Sequence, residues 1–277
     1  MFKNVLVGVD GRPNGRDAIA LACQLTDPDG KLTLTHVHRG EVAEEHEDSR
    51  KLLNQERTGA EVEAEVLSVV SSSPGRGLHE QAEAQNADLI VVGSCRHGVF
   101  GRAMLGDNTR AALNGASCAV ALAPHGYAEN PHPIEKVGVG YNDSPESKAA
   151  LALARELAAQ RRATVRALEV VPIATCAYGV WVPPVAASIE AMAQETNRRS
   201  DQLPDIEGDA VYGMASEELA SFGDEVDILI VGSRGYGPMR RLVLASTCAY
   251  LQRHARCSLL VLPRGATSAG GDSTTSS

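Results

Sequence analysis

Basic residues are in deficit in this chain of 277 residues, where 26 Lys and Arg stand against 35 Asp and Glu for a formal charge of −9. That balance argues against broad binding to nucleic acid or to an anionic membrane, since both reward basic patches. It leaves room for one pocket that takes a small anion. Aromatic residues are scarce at 4%, so any core must be built from Val, Leu, Ile and Ala. No apolar run reaches the roughly 18 residues of a membrane span. The opening stretch MFKNVLVGVDG is too short in its apolar part for a signal peptide and lacks a small-residue cleavage site. It reads as a first strand, and a cytoplasmic location is the expectation. Cys23, Cys95, Cys118, Cys176, Cys248 and Cys257 form no C-x-x-C pair and no zinc-like spacing with histidine. They suit free thiols in a reducing compartment. His36 and His38 share a strand face without an evident third ligand, so no metal site is expected.

What the chain does have is a second copy of itself. ADLIVVGS at 87–94 returns as VDILIVGS at 226–233, and CAVALAP at 118–124 as CSLLVLP at 257–263, both at an offset of 139. NVLVGVDGRPNG at 4–15 returns as KVGVGYNDSPES at 136–147, at an offset of 132, so the second copy carries a net insertion of 7 residues. Three matches in the same order establish a tandem duplication. The length suits two domains of about 130 residues. We expect domains at 1–127 and 136–265, a linker at 128–135 within the Gly- and Pro-bearing HGYAENPHPIEK, and a disordered small-polar tail at 266–277.

Each copy alternates between two periodicities. VLVGV is short, β-branched and apolar throughout, as a strand buried on both faces should be. Behind it Ala18, Leu21, Ala22 and Leu25 form a helical stripe. In the second copy Ser144 is placed to cap a helix that Pro145 begins, ahead of ESKAALALARELAA. Strands LTLTHV and TVRALEVV follow. Variable regions then occupy about 40–60 and 173–206, the first an acidic, surface-exposed helix or loop. Further strands come at EVEAEVLSV and DAVYG, helices near 77–86 and 215–223, strands DLIVV and DILIV, a glycine loop, a helix and a last strand. The order βαβαβαβαβ in each copy predicts a five-stranded parallel Rossmann-like sheet with helices on both faces.

Ligands of open parallel sheets bind beyond the carboxyl ends of the strands where the strand order reverses. This brings Asp10 and Asn142, after the first strands, near the loops that begin at Gly93 and Gly232 and run into helices whose N-terminal amides attract phosphate. GVD, GYND-SPES and VGSRGYGPMRRLVLAST…LQRHARCSLLVLP resemble the universal stress protein family, and the resemblance covers both copies. It implies a HUP/Usp-type fold and a pseudo-dimer made by one chain through its last strands, with further homodimers open. The nucleotide-binding branch of that family holds ATP phosphates on a G-x2-G-x9-G-[S/T] loop.

Carried onto the second copy, the motif falls on Gly232, Gly235, Ala245 and Ser246, with Thr247 following. Arg234 and Arg240 are suited to offset phosphate charge. Asn142 stands where the family has Asp, Ser144 lies beside it, and Val170 is a candidate wall for adenine. Ala245 adds one methyl where the family has Gly, at a cost of about 1–2 kcal/mol if φ must be positive. In the first copy Asp10, Val37, Gly93 and Gly106 remain, but Arg96 replaces the second Gly and Asp107 the Ser/Thr. Two like charges 4 Å apart repel by about 1 kcal/mol in water and about 4 at an intermediate dielectric. We therefore expect Arg96 to reach Asp107 and close that cradle. The resemblance thus implies an ATP-binding stress-response protein, with Mg2+ an open companion of the nucleotide and at most slow hydrolysis. A scaffold that has lost nucleotide is the alternative. HIGH-like and SGGxDS-like motifs are absent from the neighbourhood of the first strands, and no catalytic residue is assigned.

Overall fold

β-branched and aliphatic runs bounded by glycine become the strands, and the segments with apolar residues three and four apart become the helices between them. The structure is a computed structural model, which describes residues 1–40, 42–94, 115–172, 206–233 and 246–263. The first copy contributes β1 (Phe2–Gly8), α1 (Pro13–Leu25), β2 (Thr26–His38), α2 (Ala43–Gly59), β3 (Glu65–Val70), α3 (Pro74–Gln85), β4 (Leu89–Gly93) and β5 (Ala119–Ala123). The second contributes β6 (Lys136–Tyr141), α4 (Pro145–Arg161), β7 (Thr164–Pro172), β8 (Glu207–Gly213), α5 (Ala215–Phe222), β9 (Ile228–Gly232), α6 (Ser246–His254) and β10 (Ser258–Leu262).

All ten strands form one sheet in the order β3-β2-β1-β4-β5-β10-β9-β6-β7-β8. Neighbours within each copy are parallel. The two copies join through the antiparallel pair β5–β10, with Leu260 opposite Ala121. Strand order reverses twice, between β1 and β4 and between β6 and β9, so the fold has two switch points. Alternate residues of the central strands feed two cores. Val7, Leu34, Ala121, Ile230 and Leu260 lie under α1, α2 and α4, and Leu6, Ile90, Val120, Leu229 and Leu259 under α3, α5 and α6. Each fully buried Val, Leu or Ile side chain among them contributes about 1.5–3 kcal/mol.

Carboxylates tie the joints. Asp88 accepts hydrogen bonds from the backbone N–H groups of Lys3 and Asn4, and Asp227 does the same for Glu135 and Lys136. Asp17, 2% exposed, accepts from Gly126 N and Ala128 N at 3.0 and 2.8 Å. The segment read from sequence as a featureless connection is thereby anchored. Tyr127 and Ile134 are buried, and Gln24 Nε2 donates to Tyr127 Oη at 2.9 Å. Among the described residues no helix is long and apolar enough to cross a membrane.

Candidate functional site

At the second switch point β6 and β9 part, and a cavity of about 110 Å³ opens beyond their carboxyl ends. Leu168 and Val170 project into it from alternate positions of β7, Leu219 from α5 and Val231 from β9, which makes one wall apolar. Asn142, Ser144, Glu146 and Ser147 from the start of α4, and Thr247 from the start of α6, make the facing rim polar. Whole sites for small molecules run to about 300–1,000 Å³, so this cavity suits one portion of a ligand.

The rim is set by a local network. Asp143 takes the left-handed conformation, φ 60°, which asparagine and aspartate tolerate. That turn sets Asn142 back against the helix start. Ser144 Oγ caps α4 by accepting from Ser147 N at 3.2 Å and donates to Asn142 Oδ1 at 2.6 Å. The Ser144 N–H also donates to Oδ1, at 3.3 Å. An N–H must face an acceptor, so this contact identifies the amide oxygen and fixes which way the side chain is turned. Oδ1 of Asn142 is thus taken up by two hydrogen bonds from Ser144.

Gly232 is required by packing. A Cβ there would come within 2.6 Å of Glu146 Cβ and 2.9 Å of its carbonyl, so the missing side chain is what lets the first turn of α4 lie against β9. Gly93 stands in the same relation to Asn14, whose carbonyl oxygen occupies the place a Cβ would take. Around the first switch point Gly11 takes φ 73° where the second copy has Asp143. Asp10 Oδ1 accepts from Arg12 N at 3.1 Å. Arg12 is the N-cap residue of α1 and supplies no side-chain cap. Val37 lies under α3, in contact with the Cα face of Gly77.

Residues 1–124 and again 133–263 match the universal stress protein family. The chain belongs to that family. A universal stress protein of Mycobacterium bovis is 26% identical over 289 aligned positions, covering 93% of this chain and 96% of the relative; one of Mycobacterium tuberculosis shows the same values. Among solved structures, a putative universal stress protein from Pseudomonas aeruginosa superposes with a TM-score of 0.70 at 16% identity, over 95% of this chain and 94% of that one. One from Archaeoglobus fulgidus superposes with a TM-score of 0.65 at 16% identity, over 95% and 98%. These likenesses establish the fold of both copies together.

In this universal stress protein, Asn142, Ser144, Val170, Gly232 and Thr247 all meet at one cavity. Ser246 opens α6 beside it. Arg234, Gly235, Arg240 and Ala245 lie outside the described residues, as do Arg96, Gly106 and Asp107 of the first copy. Asp10 and Gly93 flank the first switch point. Reading the sequence missed Glu146, Leu219 and Cys248 as lining residues. Glu146 was legible only as the second residue of a helix, since its approach to Gly232 is a contact across the fold. Burial pushes the Cys248 thiol up to about 11, so it stands in the cavity as a neutral group and not as a nucleophile. Among the described residues no group of three or more His, Cys, Asp or Glu is disposed to hold a metal ion.

Proposed function

We propose that this universal stress protein binds an adenine nucleotide, ATP with or without Mg2+, at the second switch point, and acts in the cytoplasm as a stress-response regulator. One observation carries the reading: five residues chosen from the sequence for nucleotide contact line a single cavity that is apolar on one side and polar on the other. The base enters against Leu168, Val170 and Leu219. Asn142 Nδ2 donates to an acceptor on the nucleoside, and the phosphates extend along Gly232, Arg234, Gly235, Ala245, Ser246 and Thr247 at the start of α6, where helix amides favour anions. Arg96 and Asp107 close the first-copy cradle, and the two units are taken as 1–127 and 136–265 with 128–135 between them.

The test is to release ligand from the purified full chain by heat, identify it by mass spectrometry, and titrate the emptied protein with ATP by calorimetry. The expected result is one nucleotide per chain, lost in Val170→Trp and kept in Val37→Trp. Two per chain overturns the closed first-copy cradle. No nucleotide and no heat of binding overturns the proposal in favour of a scaffold, the reading that Ala245 and Asn142 would then explain.

A further inference from the structure

Helix α2 is polar nearly throughout, burying only Ser49 and Leu53, and beside Leu53 it meets β2 and β3 through a group of imidazoles. His36 Nδ1 meets Ser49 Oγ at 2.8 Å. Ser68 Oγ, on β3, lies 2.9 Å from His38 Nε2 and 3.0 Å from His46 Nδ1. Glu45 Oε2, on α2, stands 3.4 Å from His38 Nδ1. The His38 and His46 rings meet edge to face at 4.6 Å between centroids, and His36 stacks 6.2 Å from His38. The titratable groups that face the cluster are therefore Glu45 and His46 from α2 and Asp10 from the end of β1, with β3 supplying only the Ser68 hydroxyl.

The protons can be counted. With the rings neutral, Ser68 donates its one hydroxyl proton to His38 Nε2, and His46 Nδ1–H donates to Ser68 Oγ. His38 then carries its proton on Nδ1, toward the Glu45 carboxylate. Ser68 Oγ and the two ring nitrogens it meets are thereby paired, while His38 Nδ1 is buried without a hydrogen-bond partner among the described residues, 3.4 Å from Glu45 Oε2. A proton added to His38 Nε2 turns that atom into a donor, so Ser68 receives two N–H groups and its own proton loses its acceptor. A second charged ring then faces a like charge at close range. If that ring is His46, its charge also lies in the first turn of α2, at the positive end of the helix dipole.

We propose that this cluster is a proton-operated catch: neutral, it holds α2 on the sheet, and as its rings charge it releases α2. The release reaches the turn at the first switch point. Leu52 of α2 packs on Gly11, where an added Cβ would lie 2.7 Å from Leu52 Cδ1, and Gly11 follows Asp10. Burial, and then the neighbouring His38, hold His36 below the ordinary imidazole value, while Asp10 pulls the other way. An unfolded chain then binds more protons than the folded one, so the folded arrangement loses stability as pH falls below about 6.5. The second copy has no counterpart on its second strand. The register that pairs Gly8 with Thr35 and Gly140 with Leu168 puts Glu169 at the His36 position and Val171 at the His38 position.

The experiment is hydrogen exchange on the full chain, reported as protection factors from about pH 7.5 to about pH 5. The expected result is a loss of protection in α2 of about tenfold or more, with α1 and β4 unchanged, and a flattened pH response in the double variant His38→Gln with His46→Gln. Protection of α2 that tracks α1 at every pH, or a double variant with the pH response of the unaltered chain, overturns the proposal. If the double variant does not fold, the ring-proton titrations of the unaltered protein decide. A depressed curve for His36 supports the catch, and a His36 curve at the ordinary value sinks it. None of these outcomes depends on nucleotide binding.

Discussion

The two switch points are built on one plan and finished differently. Each has a strand followed by an Asp or Asn, a residue at positive φ, a helix begun by proline, and a glycine on the fourth strand of the copy that admits that helix. In the second copy the helix start is closed on itself by Ser144, whose N–H and Oγ both donate to Asn142 Oδ1 beside a cavity. In the first, Arg12 caps nothing through its side chain and Asp10, among the described residues, accepts from a backbone N–H. A polar helix resting on histidines lies alongside. Duplication has therefore preserved the backbone that makes a site, while the side chains of each copy have taken different chemistry.

The glycines give the largest expected effects. Gly93→Ala must displace the Asn14 carbonyl, and we expect a loss of about 3 kcal/mol or more in urea-unfolding stability. Gly232→Ala meets a Cβ and a carbonyl at longer range and should cost about 1–3 kcal/mol, with nucleotide affinity lost beyond the change in stability. Equal costs for the two would show that the first copy is packed no more tightly at this joint.

The next pair breaks the comparison at the opposite end of the sheet. Asp88 uses one oxygen for Lys3 N and the other for Asn4 N, whereas Asp227 accepts both of its backbone N–H groups on Oδ2. An asparagine can keep both bonds in the second case and only one in the first, where its NH2 would face an N–H. Asp88→Asn should cost about 2 kcal/mol and Asp227→Asn about 1 or less. The reverse order, in matched chemical unfolding, would mean that charge and not geometry sets these joints.

How much of this was legible in the sequence follows from the range of each contact. Ser144 and Pro145 announced the α4 start because a cap is a contact over three residues. The apolar runs of β1, β4, β6 and β9 announced themselves because burial on both faces leaves no polar position. Gly232 was legible as a residue to watch, but its partner Glu146 lies 86 residues earlier in the chain, and nothing local links them. His36 and His38 were legible as one strand face. His46 joins them only because α2 folds back over β2, a packing that the acidic composition of α2 conceals. Tyr127 sits in a stretch without periodicity, and its burial rests on Asp17 and Gln24 from α1.

Ser144→Ala sharpens the comparison with a smaller effect. Loss of the cap should cost about 1 kcal/mol. It also frees Asn142 Oδ1 from its 2.6 Å partner, so the amide can turn and ATP affinity measured by calorimetry should fall. Unchanged affinity at reduced stability would separate the cap from the site and return Asn142 to a bystander role.

The smallest effect is the reverse experiment. Arg12 holds the extended conformation that an N-cap requires, φ −103° and ψ 166°, and its N–H already donates to Asp10 Oδ1 at 3.1 Å. Arg12→Ser should therefore place a hydroxyl where Ser144 has one. It can accept from the first turn of α1 and donate to Asp10, for a gain of up to about 1 kcal/mol in unfolding stability. A gain means that the first copy lacks only a side chain to form the closed helix start of the second. A loss or no change means that its backbone has drifted as well, and that the two switch points differ in shape and not in chemistry alone.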